Sequence, residues 1–596
     1  MGIHWIQESI LYVSEASGID LANFKILLCT LLSFPFSGIY KRLPDHRYTM
    51  KNIYIVSVSS FYVFFILELY SGLASLMGAS LGTYFITRYL RTDSMPWVNF
   101  VFLMLYLSYH HIREQFFSVY DPHVVDITGA LMVMVMKLSS FGWSVHDGRN
   151  SKDLLTSYTK SRIIKKHPNL LPYLGYAFFY ASLLTGPAFD YADYDRFIHN
   201  TLFEDVPESR RPGKRKRRIP RSGRAALKKT LQGFFWAFLF TQAPKFVTLE
   251  YVFQPEFVQQ HGFIYRIFYL WVLYVSYRLK YYTIWLIAEG ACILCGIGYN
   301  GYDSQTDSFK WDRVQNIDPW AFETGQNVHT CLEAWNMNTN KWLKHFIYMR
   351  LAKKGKKPGF KSTLATFATS AFWHGTRPGY YMTFIMGAFL QTVGKIFRRN
   401  FRPIFVDKDG NKSKAKPLYD VTCYFVTQLA FSFVTQPFAI LEFSKSWHCW
   451  STVNYYVIIG TALTFLVFRG PWSHQVTKFL SKYHMSAPKP IHRDSQFNKT
   501  ESEKVARALN SYISRDRDLV DSPTLGVPSL DYLESFEGKD IDEELKELVE
   551  TWYKFKETKG DLGLKVAYNN FVAEIQRIVS DTRAQASEVI DSKKQQ

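Results

Sequence analysis

The run Tyr54-Ile-Val-Ser-Val-Ser-Ser-Phe-Tyr-Val-Phe-Phe-Ile-Leu-Glu-Leu-Tyr70 is apolar throughout apart from serines, tyrosine hydroxyls and one acid. It does not alternate apolar with polar residues, as a strand of a transmembrane barrel does over about ten residues. Together with its continuation toward position 90 it could cross a hydrocarbon core of about 30 Å twice, at about 20 residues per crossing. In that solvent a helix satisfies its own backbone, so the stretch decides the fold class: all-α, a multi-pass transmembrane helical bundle. Working outward, comparable blocks lie near 24–40, 97–112, 124–143, 170–187, 231–251, 263–298, 380–396, 420–443 and 452–469. The block 263–298 again has the length of two, which predicts about 9–11 spans, some broken. No internal repeat is visible, which weakens a transporter built on two-fold symmetry.

The composition divides in the same way. Of 596 residues, 47% are hydrophobic, 17% aromatic and 20% charged. From position 471 onward 19 Lys+Arg face 21 Asp+Glu, whereas the first 470 residues carry 52 against 30, a net of +22. We therefore divide the chain into a transmembrane domain, 1–470, and a soluble, polar, cytosolic C-terminal tail, 471–596. Dominant disorder is excluded by the apolar content, and a disulfide scaffold by six cysteines in so long a chain. Cys292 and Cys295 form a C-x-x-C with no second pair, so they read as packing, and no metal site is expected. The basic excess belongs to loops between apolar spans and does not point to nucleic acid. The N-terminus, MGIHWIQES, shows no cleavable signal.

The loops orient the bundle. Eleven Lys/Arg and no acid lie between Arg210 and Lys229, and Arg350, Lys353, Lys354, Lys356, Lys357 and Lys361 crowd a second loop. Both are expected on the cytosolic side, where such cations can also meet phosphates or anionic lipid heads. In the tail, Ile541, Leu545, Leu548, Trp552 and Phe555 recur at helical spacing beside Asp542, Glu543, Glu544, Glu547 and Glu550. That acidic face suits a helix docked on protein better than one lying on a membrane. Lys593 and Lys594 resemble a dilysine retrieval signal of endoplasmic reticulum membrane proteins, read by cytosolic coat protein. This predicts a cytosolic C-terminus.

Polar side chains in apolar surroundings are costly and therefore candidate functional groups. The run Leu364–Gly375, ending Phe-Trp373-His374-Gly375 with Pro378 beyond, reads as a helix with a C-terminal stop. From Lys361 to His374 is about 20 Å of helix, which puts His374 deep in the bilayer, facing a cavity or pinned to a neighbouring helix. The second place is Trp335-Asn336-Met-Asn338-Thr-Asn340-Lys-Trp342. Asn336 and Asn340 share a helical face at i,i+4 and Asn338 lies elsewhere. An amide can donate to an oxygen that gains negative charge, or pin two helices together.

W-N-M-N-T-N-K-W-L followed by F-W-H-G and R-P-G-Y resembles the signature of membrane-bound O-acyltransferases. The blocks Ser182–Pro187, Phe189–Tyr194, Lys280-Tyr-Tyr and Tyr299–Tyr302 resemble the lysophospholipid acyltransferase branch, most closely its broad-specificity fungal members. The resemblance covers the membrane domain and not the tail. It implies His374 and Asn336 as catalytic residues facing one tunnel, with Trp335, Asn338, Asn340 and Trp373 positioning substrate. Asn338 stands as the alternative to Asn336, two residues on. It further implies transfer of an acyl chain from acyl-CoA, a co-substrate and not a cofactor, to the glycerol hydroxyl of a lysophospholipid, within the endoplasmic reticulum membrane. Lys353, Lys354, Lys356 and Lys357 would then meet the CoA phosphates. A sterol, diacylglycerol or peptide acceptor, or from another class a transporter, are the competing readings.

Overall fold

The computed structural model describes residues 2–118, 124–149, 155–213, 217–351, 360–407 and 411–485. Lys353, Lys354, Lys356 and Lys357 lie outside the described residues, as does the tail beyond 485, including the segment around Trp552 for which the sequence predicts a helix, and Lys593 and Lys594. Of the tail proposed from 471, the described part carries a helix at Ser473–Ser481, and the Met485 N–H donates to the Pro403 carbonyl (2.9 Å).

Helices α1 (Gly2–Ser17), α2 (Leu21–Tyr40), α3 (Tyr48–Phe61, prolonged by a π turn at Tyr62–Ile66), α4 (Tyr70–Tyr89), α5 (Met95–Phe116) and α6 (Thr128–Arg149) make the first half. A short α7 (Leu170–Ala177) leads to α8 (Gly223–Gln242) and α9 (Phe263–Cys295). Three short helices follow: α10 (Pro319–Glu323), α11 (Val328–Ala334) and α12 (Met337–Leu343). The chain then forms α13 (Phe360–His374), α14 (Pro378–Phe401), α15 (Lys416–Ile440), α16 (Phe443–Ser451) and α17 (Tyr456–Arg469). Among the described residues the only sheet is a hairpin pairing Tyr302–Asp303 with Ser308–Phe309.

The chain is an all-α multi-pass membrane protein, and the spans differ from expectation in instructive ways. The stretch 52–90 does make two helices, and 24–40, 97–112, 124–143, 380–396 and 420–443 one each. The stretch 263–298 makes a single helix of 33 residues, about 50 Å long. The block 170–187 is not a span: it gives eight residues of helix and then a 3₁₀ turn at Tyr180–Ser182. The block 231–251 is shifted, because its helix begins at Gly223 in the basic stretch and ends at Gln242. The last block, 452–469, belongs to a pair, α16 and α17, bent by 78°. By length and hydropathy alone, four of the described helices qualify as spans, or five with that pair. Helices of similar length such as α5, α8 and α9 fall short because they carry His110, His111, Arg224, Lys228, Arg278 and Glu289.

Helix α9 is the spine. Leu270 and Leu273 near its start belong to an apolar core shared with Phe431 and Trp450. Leu279, Tyr282 and Leu286 form a small middle cluster, and Cys292 and Cys295 enter the N-terminal core with Leu131, Phe141 and Trp373. Both thiols are free and fully buried, as packing residues. Around the spine pack α2, α8 and α15.

Where helices stop inside the protein, side chains take over from the backbone ladder. Lys137 on α6 is buried and donates to the carbonyls of Tyr176 (2.5 Å) and Ala177 (3.3 Å), the open C-terminal end of α7. Gln428 on α15 donates to the Phe322 carbonyl (2.8 Å) in the last turn of α10, and Gln436 adds a bond across to the Leu270 carbonyl within α9 (3.1 Å). The strongest tie between the spine and the connection leading to Asn336 is ionic. Arg278 donates Nε to Glu323 Oε1 (2.9 Å) and Nη2 to Oε2 (2.6 Å), while the Tyr282 hydroxyl donates to Oε1 (2.6 Å).

Removing one member leaves the other charged and buried, a loss of about 3–5 kcal/mol, whereas replacing both by apolar residues is often neutral. We expect Glu323→Ala to lower the unfolding midpoint of the purified protein markedly, and Arg278→Met with Glu323→Leu to recover most of it. Tryptophan fluorescence on heating measures both.

Candidate active site

Helix α13 ends as its sequence predicts. Gly375 takes φ +132°, a conformation that L side chains rarely adopt, and its N–H closes onto the carbonyls of Ala371 (3.3 Å) and Phe372 (3.2 Å). Three residues later Pro378 opens α14 at a position where its missing N–H costs nothing. The turn is pressed against α15: a Cβ on Gly379 would stand 2.0 Å from the Pro437 carbonyl oxygen. That approach brings Phe438 to the His374 ring, at 5.1 Å between centroids, beside Phe384 (4.9 Å) and Tyr380 (5.7 Å).

His374 is half-buried in this aromatic surround. Its Nδ1 lies 3.0 Å from the Ser370 carbonyl one turn back. A carbonyl can only accept, so Nδ1 carries the hydrogen and Nε2 keeps a lone pair. Among the described residues no hydrogen bond engages that Nε2.

The asparagines divide by what holds them. Asn338, buried, donates Nδ2 to the carbonyls of Val314 and Gln315 (3.3 Å each) and to Asn316 Oδ1 (3.1 Å). Asn340, fully buried, donates to the carbonyls of Leu332 and Trp335 (2.9 Å to the latter). Both therefore pin the connection before α12 to itself. The i,i+4 spacing predicts a helical face shared by Asn336 and Asn340, but Asn336 precedes the helix in the left-handed region at φ 44°, ψ 54°, which Asn tolerates better than most residues. Its Oδ1 accepts from the Thr339 hydroxyl (2.8 Å), and no hydrogen bond engages its Nδ2 among the described residues.

The tryptophans join the two motifs. Trp342 on α12 and Trp373 on α13 are 5.7 Å apart, with Trp342 donating to Ser139 (2.8 Å) and Trp373 to the Met132 carbonyl (3.1 Å) on α6. Trp335 packs on Tyr281 (5.7 Å), Trp285 (5.3 Å) and Phe322 (5.3 Å). No hydrogen bond joins Asn336 and His374 among the described residues.

Two groups of residues escape a reading by motif. At the end of α5, His111 Nε2 donates to the Trp373 carbonyl (3.2 Å), and Gln115 accepts from Thr376 (2.5 Å), so α5 clamps both sides of His374. Polar residues within the apolar block 97–112 were the available signal. The second group surrounds a small cavity beside α12: Arg162 reaches Asp190 and Asp193 (3.2 Å each), Arg313 reaches Asp193 (2.9 Å), and Tyr158 donates to Asp190 (2.6 Å). Burial raises the Asp190 carboxyl above the usual carboxylate range, against the pull of Arg162 and Tyr158. Asn338 and Lys341 line the same cavity, and Lys341 has no ion pair among the described residues.

Residues 115–436, which include both motifs, match the model of the membrane-bound O-acyltransferase family. The chain belongs to that family. It is 43% identical to the lysophospholipid acyltransferase of Saccharomyces cerevisiae over 96% of this chain and 94% of that protein. It is 41% identical to the lysophospholipid acyltransferase of Schizosaccharomyces pombe over 77% of this chain and 89% of that protein. The human membrane-bound glycerophospholipid O-acyltransferase 2 is 30% identical over 65% of this chain and 72% of that protein. This acyltransferase is an enzyme, and the transporter reading falls away.

The differing bonds of the asparagines predict differing costs. Asn338→Ala and Asn340→Ala each strand buried carbonyls, a loss of about 1–3 kcal/mol, and should lower the midpoint of thermal unfolding. Asn336→Ala breaks only the bond to Thr339 and should shift it least. Melting the three purified variants side by side checks the order.

Proposed function

We propose that this acyltransferase moves an acyl chain from acyl-CoA to the free glycerol hydroxyl of a lysophospholipid in the endoplasmic reticulum membrane. Support for the acceptor comes from the names of the two yeast relatives, which align over most of this chain. The observation that carries the chemistry is the His374 ring, whose Nδ1–H is held by Ser370 while Nε2 is left with a lone pair. Such a nitrogen can take the hydroxyl proton as the oxygen attacks the thioester carbonyl. The tetrahedral oxyanion then needs a donor, and Asn336 Nδ2 is the uncommitted amide of the three. Collapse breaks the C–S bond, and the departing thiolate takes the proton back from His374. No acyl-enzyme forms, and the oxygen–carbon bond replaces the sulfur–carbon bond in one addition and one elimination.

On this reading Trp335 and Trp373 shape the site, and Asn338 and Asn340 act by holding the backbone around Asn336. Lys353, Lys354, Lys356 and Lys357 receive the CoA phosphates from the cytosol, the side on which basic loops collect. Orienting two reactants that arrive from different phases is then the protein's main contribution.

We expect His374→Ala to insert and fold yet lose at least about 10²-fold in transfer, the scale of a lost general base. Asn336→Ala should lose turnover with little change in KM, and Asn338→Ala should retain more activity once corrected for folded protein. Release of free thiol from acyl-CoA on adding lysophosphatidylcholine to the purified enzyme reads all three. No thiol release from the unaltered enzyme with any lysophospholipid would overturn the acceptor, and normal turnover in His374→Ala would overturn the base.

Lys593 and Lys594 fit retrieval to the endoplasmic reticulum by cytosolic coat protein. Changing both to Ser should leave transfer in isolated membranes intact while moving protein to later compartments, as fractionation measures. Protection of a C-terminal tag from protease in sealed microsomes would overturn the cytosolic C-terminus.

A further inference from the structure

Along the outer face of α8 runs a groove of about 550 Å³, closed on one side by Pro319 and Trp320 of α10. Its lining is graded along the helix axis. Arg224 and Lys228, one turn apart, stand at the N-terminal end beside Leu227, and Leu231, Gln232, Phe235 and Trp236 continue below them, with Gln232 the one polar group there. From Arg224 to Phe235 the groove extends about 17 Å at the helical rise. Leu231 is 58% exposed and Trp320 67%, so the floor and the rim both face outward.

The cations in this groove are uncommitted. Lys229, next in sequence, turns inward to the buried Glu289 at 2.9 Å. Arg224 and Lys228 make no ion pair among the described residues. No Asp or Glu occurs from position 209 to 249, and Asp318, next to Pro319 at the rim, accepts from the Ala321 N–H (3.1 Å) as the cap of α10.

A polarity that changes along a membrane helix, and not around it, matches a lipid lying parallel to it: anionic head at the interface, chain toward the midplane. A water-soluble peptide would leave the apolar floor uncovered or place its own polar backbone in hydrocarbon. We propose that this groove binds one diacyl phospholipid of net negative charge from the surrounding bilayer, its phosphate between Arg224 and Lys228 and one acyl chain along Leu231, Phe235 and Trp320.

This site is separate from the reacting groups. Its inner wall, Trp236, packs on Tyr282 (5.1 Å), and Tyr282 on Trp335 (5.9 Å), so a layer of aromatic rings stands between the groove and Asn336. The inference does not depend on which acceptor the enzyme uses.

The test is native mass spectrometry of the full chain released from nanodiscs of equal phosphatidylcholine and phosphatidylserine. We expect one phosphatidylserine to be retained in preference to phosphatidylcholine, and Arg224→Gln with Lys228→Gln to reduce that retention about 30-fold, the effect of two interfacial cations. Leu231→Ser with Phe235→Ser should weaken retention of either lipid. Each variant is first required to match the unaltered protein in thiol release and melting in phosphatidylcholine discs, which separates loss of the site from loss of the fold. Equal retention of both lipids by the unaltered protein, or undiminished phosphatidylserine in the Gln variant, overturns the proposal. So does displacement of the bound lipid by an equal concentration of lysophosphatidylserine, which would make the groove an access route for substrate.

Discussion

In hydrocarbon a carbonyl released at the end of a helix has no water to receive a donor, and this constraint governs the protein more than any single apolar contact. Among the described residues several helix ends and irregular segments meet buried side-chain donors in this way. Lys137 answers the carbonyls of Tyr176 and Ala177, His111 that of Trp373, and Asn340 those of Leu332 and Trp335. Asn338 serves Val314 and Gln315, and Gln428 serves Phe322. Each of these side chains would be expensive in an unbroken membrane helix, and each is retained because a break elsewhere needs it.

The breaks in turn make the site possible. An α-helix running straight past position 336 or 374 would point its side chains at its neighbours in a fixed register. The left-handed backbone of Asn336 takes its side chain off a regular face, and the glycine stop ends α13 directly after His374. Among the described residues no hydrogen bond engages Asn336 Nδ2 or His374 Nε2. The candidate chemistry of this acyltransferase resides in those two atoms. Asn338 and Asn340, which look equivalent to Asn336 in sequence, spend their Nδ2 on backbone carbonyls.

The spine helix explains how the halves hold together without a repeat. Helix α9 passes through all three apolar clusters, and Arg278 at its middle takes Glu323 in a bidentate pair. The connection from Glu323 to Asn336 is thereby fixed to the spine, while α5 and α15 fix the turn around His374 from the other side. Motion of either half relative to the spine would alter the separation of the two candidate groups.

From the sequence alone came the fold class, the family, the helix that ends at His374 and the pair of motifs, because each rests on local pattern: apolar length, a Gly–Pro stop, a run of residue types. Span boundaries were less legible. Arg224 and Lys228 look like loop residues until the fold shows them inside a helix, and 263–298 looks like two spans because composition does not register an uninterrupted hydrogen-bond ladder. Which asparagine is free could not be read at all, since Asn336, Asn338 and Asn340 are one residue type in one short stretch. Tertiary structure alone decided that, by the placement of Val314, Gln315, Leu332 and Trp335 carbonyls. The same holds for His111 and for the Arg162–Asp190–Asp193–Arg313 cluster, whose members meet across 120 or more residues in the Arg313–Asp193 pair. Sequence records which donors a chain carries; only the fold determines which acceptors reach them first.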